Sequence, residues 1–238
     1  MSGTTVHINS KTYTNIKRVF IGNDAFVYKG TLPEGYQIIN GLYSRLGGYI
    51  NTNFPIQAGD KVKVGFVQGS DTDTCVWFGV RYAGSYNSDP ASHIFINKGK
   101  WSSTERFSLV IVGEPATREA LGAYDPSYLE NVENEVEFDI GNGVYLNGEA
   151  LDVPYDYAFT ENSMPYSPYL FNLNNQNNNP STTYNFKSGR LLGYSVERDG
   201  EVVVDMIPVK DSNGVCGMYD LARDTFFGTA NGKAFSDV

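Results

Sequence analysis

The sequence predicts an all-β protein, and three observations carry that prediction. The first is composition: 25 Gly, 17 Tyr and 14 Phe stand among 238 residues, without long Ala/Leu/Glu/Lys stretches. Aromatic side chains fit a pleated surface, and Gly supplies the positive φ that tight turns need. The second is a hairpin signal in the closing stretch LLGYSVERDGEVVVDMIPV, where Asp199-Gly200 divides two alternating apolar runs. The third is rhythm, with strand-like runs recurring about every ten residues, as in a sandwich or barrel.

Residues 1–30 stand apart in character. TVHI, TNIKRVFI and AFVYKG are short β-type runs joined by Asn9-Ser10-Lys11 and Gly22-Asn23-Asp24. They suffice for a small hairpin and not for an independent core. They are read either as the first strands of the main domain or as an attachment segment that packs on another chain. Pro33-Glu34-Gly35 marks the boundary, and the main domain is assigned to 31–238. Five strand candidates follow: YQIINGLYSRLGGYINTNF, DKVKVGFVQG, TCVWFGVRYAG, SHIFINKGKW and RFSLVIVGE. In the second, Val62, Val64 and Phe66 fall on one face and Lys61, Lys63 and Gly65 on the other, which predicts one dry face and one wet face.

Residues 114–132, EPATREALGAYDPSYLENV, have helical flavour, but Pro115 and Pro126 restrict any helix to a turn or two. A long connection is expected there. NEVEFDIGNGVYLNGEAL reads as a hairpin reversing at Gly141-Asn142-Gly143. NLNNQNNNPST, residues 172–182, reads as an exposed polar loop, because Asn side chains bond their own backbone and tolerate the left-handed region. The closing segment 189–235 is a β-meander whose second reversal falls at Arg223-Asp224, between Leu221 and Phe226-Phe227.

A formal charge of −9 argues against nucleic-acid partners, whose phosphates call for Lys and Arg. The amino terminus lacks a basic start and an apolar run of the secretory kind, and no stretch approaches the roughly 18 apolar residues of a membrane span. Synthesis in the cytoplasm without membrane insertion is expected. Cys75 and Cys216 sit in separate apolar runs without metal-site spacing, so buried free thiols are expected.

The sharpest catalytic candidate is Glu135-Val136-Glu137-Phe138-Asp139, which puts three carboxylates on one strand face. Laminarinase-like glycosidases use a related arrangement, though with Glu and Asp in another order. The plainer reading is an exposed acidic face on a strand whose Val136, Phe138 and Ile140 enter the core. His7 and His93 have no nucleophile elbow to serve, and no metal-ligand motif is present, so neither catalytic residues nor a metal nor a cofactor is assigned. The remaining signal is aromatic: Tyr155 and Tyr157 in DVPYDYAF, Tyr166 and Tyr169 in MPYSPYLF, and Trp101 in GKWSS. Such rings stack on sugar faces while Asn side chains, here Asn174 and Asn175, take the hydroxyls.

The phrases GGYINTNF, FGVRYAG, GVYLNGEAL, NFKSGRLLGYSVERDGEVVVDMIPV and DSNGVCGMYDLARDTFFGTANGKAF together resemble the concanavalin A-like, laminin-G-like jelly rolls of tailed-phage virion proteins. The resemblance covers about residues 31–238, and IKRVFIGNDAFVYKG is similar to a segment that precedes such domains. It implies a two-sheet antiparallel jelly-roll sandwich and a place on the virion as a fibre, tail or capsid-decorating component. It carries no catalytic residue. The expectations are therefore a non-enzymatic structural protein that presents a host-glycan-binding surface, docks other virion proteins through residues 1–30 and forms homo-oligomers. A lectin module in host adsorption is the alternative, and a glycosidase using Glu135 with Asp139 or Glu137 is the third reading.

Overall fold

The computed structural model describes residues 5–8, 11–14, 20–21, 24–25, 32–44, 47–69, 75–82, 92–101, 104–112, 120–124, 129–151, 165–175, 179–181 and 189–237. Thr5–Ile8 (β1) pairs with Lys11–Thr14 (β2), and Phe20–Ile21 (β3) with Asp24–Ala25 (β4), giving two small two-stranded sheets. Then come Gln37–Ile38 (β5), Ile50–Asn51 (β6), Lys61–Gln68 (β7), Cys75–Tyr82 (β8), Ser92–Trp101 (β9), Thr104–Val112 (β10) and Ala120–Tyr124 (β11). Glu133–Asp139 (β12), Gly143–Leu146 (β13), Glu149–Ala150 (β14), Tyr169–Leu170 (β15) and Asn174–Asn175 (β16) follow. Gly189–Arg198 (β17), Glu201–Lys210 (β18), Cys216–Asp220 (β19) and Thr225–Phe227 (β20) complete the chain.

These strands form an all-β sandwich of two sheets. One runs β11-β10-β9-β8-β15-β6, with β16 beside β8; the other runs β14-β13-β12-β7-β17-β18-β19-β20, with β5 beside β18. The chain passes from one sheet to the other at β5 to β6, β6 to β7, β7 to β8, β11 to β12, β14 to β15 and β16 to β17, so neither sheet is completed without the other. Among the described residues no helix is long and apolar enough to cross a membrane.

The core lies between the sheets. Val62, Val64 and Phe66 of β7 and Val136 and Phe138 of β12 are all fully buried, as the period-two pattern requires. They meet Trp77, Phe78 and Val80 of β8 from the facing sheet: Phe66 stacks on Trp77 at 4.9 Å, and Phe78 lies 6.2 Å from Phe138 and 5.6 Å from Tyr194. Gly189 opens β17 with φ 102°, and a Cβ there would stand 2.4 Å from the Val67 carbonyl oxygen and 2.5 Å from the Trp77 ring. Only glycine satisfies both constraints.

A smaller apolar cluster covers the other face of the second sheet at β18 and β19, where Ile207, Val209 and Tyr219 pack against Leu32, Tyr36, Ile38, Leu221 and Phe226. Two ion pairs with buried carboxylates and partly exposed arginines tie the 52–60 segment to the sheet end. Arg198 forks onto the Asp60 carboxylate at 2.8 Å through both Nε and Nη2, and Arg223 holds Asp220 while donating to the Thr52 carbonyl at 2.9 Å. Both guanidinium groups face the Phe54 ring, at 4.7 and 5.6 Å.

Most expected strands and turns are present. Asp199 and Gly200 have φ 53° and 80°, a type I′ reversal, and Asp224 turns the second one at φ 52°. Cys75 and Cys216 are buried free thiols. Four expectations need correction. The stretch 114–132 contains a strand, β11, antiparallel to β10; its Ala-Leu-Gly-Ala run has little intrinsic strand character, and pairing with the free edge of β10 decides its state. The first candidate divides into β5 and β6, which belong to different sheets. The 134–151 hairpin is part of a three-stranded meander, because Asn147-Gly148 makes a second turn with φ 54° and 82°. The Asn-rich stretch is not wholly an exposed loop: Asn172 and Asn174 are buried, and β16 runs parallel to Val80 and Arg81 of β8.

Candidate functional site

The groove that combines charge, acceptors and an aromatic wall lies on the outward face of the second sheet. β12 alternates Val136 and Phe138 inward, so Glu135, Glu137 and Asp139 share the opposite face. β7 runs antiparallel beside it in a register that sets Lys63 opposite Glu137 and Lys61 opposite Asp139. On the other side β13 places Tyr145 opposite Glu137. The Lys63 ammonium is 2.8 Å from Glu137 and 3.9 Å from Glu135, and Lys61 is 3.8 Å from Asp139.

The turn that closes the groove is built from its own neighbours. The Asn147 amide N–H donates to the Glu135 carbonyl at 2.8 Å, and the Asn147 side-chain oxygen accepts from the Glu135 N–H at 2.8 Å. Its Nδ2 donates to the Asn134 side-chain oxygen at 3.2 Å, and Asn134 in turn donates to the Leu129 and Val132 carbonyls. The I′ turn is thus locked onto the strand that carries the carboxylates. Tyr145 lies over Gly143, where a Cβ would meet the ring and its hydroxyl at 3.3 Å. Lys63, Glu135, Glu137, Tyr145 and Gly148 line an open space of about 190 Å³.

The expected exposed acidic face is corrected by this register. The Glu135 and Glu137 side chains are 13% and 20% exposed, with Lys63 of β7 beside both and Tyr145 of β13 opposite Glu137. Chemically the groove offers carboxylate acceptors, an ammonium donor and a tyrosine ring, a set that pairs with hydroxyl-rich ligands. One ammonium, 2.8 Å from Glu137 and 3.9 Å from Glu135, brings the nearest oxygens of the two carboxylates within about 7 Å of each other. Among the described residues no group of three His, Cys, Asp or Glu side chains is arranged to hold a metal.

The sequence-derived sugar candidates fall elsewhere. Tyr169 is 2% exposed and stacks on Tyr49 at 4.7 Å, with burial pushing its phenol up to about 12. Its ring faces are occupied by protein. Asn174 is fully buried and donates to the Ser167 carbonyl at 2.8 Å; Asn175 pairs opposite Arg81. Tyr166 is half-buried against the main core. Tyr155 and Tyr157 lie outside the described residues, as does the Trp101 side chain. His93 is fully buried in β9. Lys63 and Tyr145, missed as site residues, were each on the correct face by alternation; their meeting across Glu137 depends on strand order, which no local pattern carries.

No protein-family model and no characterised protein sequence matches the chain. Solved structures do align with it. One is the full-length tailspike protein 2 of an Escherichia coli O157:H7 bacteriophage, at 13% identity and a TM-score of 0.44, with 76% of this chain and 24% of that one covered. Another is the enzymatically active domain of the bacteriophage CBA120 tailspike protein 2, at 11% identity and a TM-score of 0.36, covering 82% and 27%. The chain spans about a quarter of the length of these structures. The second is named for its enzymatic activity, and the expectation that this chain is not an enzyme is withdrawn.

Proposed function

We propose that the chain is a phage tail component that engages bacterial surface glycan through the groove of Lys63, Glu135, Glu137, Tyr145 and Gly148. The observation that carries the glycan half is the groove itself, where acceptors, one donor and an aromatic wall converge on a space of about 190 Å³. Sugar recognition needs that combination, since hydroxyls donate to carboxylates and accept from ammonium while the ring's C–H face lies on an aromatic. The phage half is supported by the sequence phrases of residues 31–238 that resemble tailed-phage virion domains. Docking to other virion proteins through residues 1–30, and assembly of several copies, belong to the same proposal.

The test is binding of the purified chain to polysaccharide extracted from the phage's host, read by biolayer interferometry beside a Tyr145→Ala variant. Binding that falls at least tenfold in the variant, with an unchanged melting curve, supports the reading. No retention on any host polysaccharide overturns it. Oligosaccharide profiling of the same mixtures reports cleavage, for which Glu135 and Glu137 are the carboxylates in reach of one ligand. Mass spectrometry of purified particles checks the virion assignment, and absence of the chain there refutes it.

A further inference from the structure

Resting on the glycan reading, we infer that the groove is a single subsite for one uncharged pyranose unit, and that it discriminates against carboxylated and phosphorylated sugars. Its size is the first argument. A space of about 190 Å³ lies below the roughly 300–1,000 Å³ of sites that enclose drug-sized ligands. A second sugar would extend past the groove's walls. The aromatic surface agrees, since Tyr145 is the one ring among the groove's lining residues and its position is fixed over Gly143. One ring serves one stacked sugar.

The charge pattern is the second argument. An anion receptor needs a cation with donors to spare, and here the Lys63 ammonium stands 2.8 Å from Glu137 and 3.9 Å from Glu135. In the next row of the same face, Lys61 stands 3.8 Å from Asp139 and in register with Glu197 of β17. Beyond Lys63 the row continues through Ser195 to Asp205. In the row beyond, Glu133 stands 3.8 Å from Arg190 of β17, so six carboxylates share this face with two lysines and one arginine, each cation beside a carboxylate, on a chain of net charge −9. A sugar carboxylate would meet repulsion from Glu135 and Glu137 and gain no unpaired cation. Neutral hydroxyls, by contrast, donate to these same oxygens.

A single ring at ordinary ligand efficiency reaches only about millimolar affinity. The experiment is titration of the intact chain, followed by NMR, with methyl glycosides of glucose, galactose, mannose and N-acetylglucosamine. Linear oligomers of two to four units of the best binder follow, then galacturonic acid and glucose 6-phosphate. The expected result is millimolar binding of at least one neutral glycoside. Its oligomers should then bind less than about threefold more tightly per molecule, and the two anionic sugars at least tenfold more weakly. Glu137→Gln, which keeps the side chain's shape, should narrow that tenfold gap, while Glu201→Gln at the distant exposed hairpin tip should leave it unchanged. Tightening of about tenfold per added unit would establish an extended cleft and overturn the single subsite. Anionic sugars binding as well as neutral ones would overturn the discrimination, as would equal effects of the two Gln variants. Absence of binding by every neutral and anionic probe and by host polysaccharide would remove the glycan reading itself.

Discussion

Replacing Asp205 by Asn tests how this sheet handles charge. Asp205 lies on β18 between the inward-facing Val204 and Met206, opposite Ser195 of β17. Burial, and then the nearby Asp220 carboxylate, push its pKa from 3.8 up to about 6. An acid whose folded-state pKa is raised favours folding in its protonated form. Its contribution is complete below about pH 3.8 and is lost as the pH climbs through about 6. A displacement from 3.8 to about 6 corresponds to about 3 kcal/mol of destabilisation at pH 8. Asn keeps the shape and cannot ionise. The variant should therefore be about 3 kcal/mol more stable than the parent near pH 8, about half that near pH 5, and nearly equal near pH 3.5. Urea unfolding at each pH provides the assay, followed through the emission of Trp77, which is fully buried against Phe66. A constant offset across the range, or a less stable variant at pH 8, would refute the reasoning.

Three further outcomes follow from the packing. Gly189→Ala should lose about 3 kcal/mol or more in urea unfolding, since its Cβ would stand 2.4 Å from the Val67 oxygen at a φ of 102°; a loss under 1 kcal/mol would mean that β17 shifts freely. Asp60→Ala strands the Arg198 fork and the Gln57 N–H, and about 2–3 kcal/mol should go with it, since Arg198 keeps some access to solvent. Adding Arg198→Met should restore part of that loss, and no recovery in the double variant would show that the pair's charge is not the cause. Cys75 and Cys216 are buried, and burial pushes the Cys216 thiol up. A thiol reagent should label neither in the folded protein near neutral pH and both in denaturant, so fast native labelling would contradict their placement.

Much of the sandwich was legible because its signals are local. The alternation of Val62, Val64 and Phe66, the Asp199-Gly200 reversal and the Arg223-Asp224 turn each depend on a few adjacent residues, and each stands where the pattern put it. The misplacements share one cause. β11 has weak intrinsic strand character, and a distant edge specifies it; Asn174 is polar, yet the parallel pairing with β8 and the Ser167 carbonyl pay for its burial. Tyr169 looked like a sugar platform because its flanks are polar, and only its stacking on Tyr49, which lies far away in the chain, takes its ring out of solvent.

The groove divides along the same line. Sequence alone determined that Glu135, Glu137 and Asp139 share one strand face, that Lys61 and Lys63 share another, and that the segments bearing them are strands, since backbone geometry alternates side chains whatever the neighbours are. Only the tertiary structure decided that β7 and β12 lie side by side, with Lys63 opposite Glu137 and Tyr145 completing the wall. Strands about 70 residues apart pair because their apolar faces must meet the same facing sheet, and that requirement is set by the whole core.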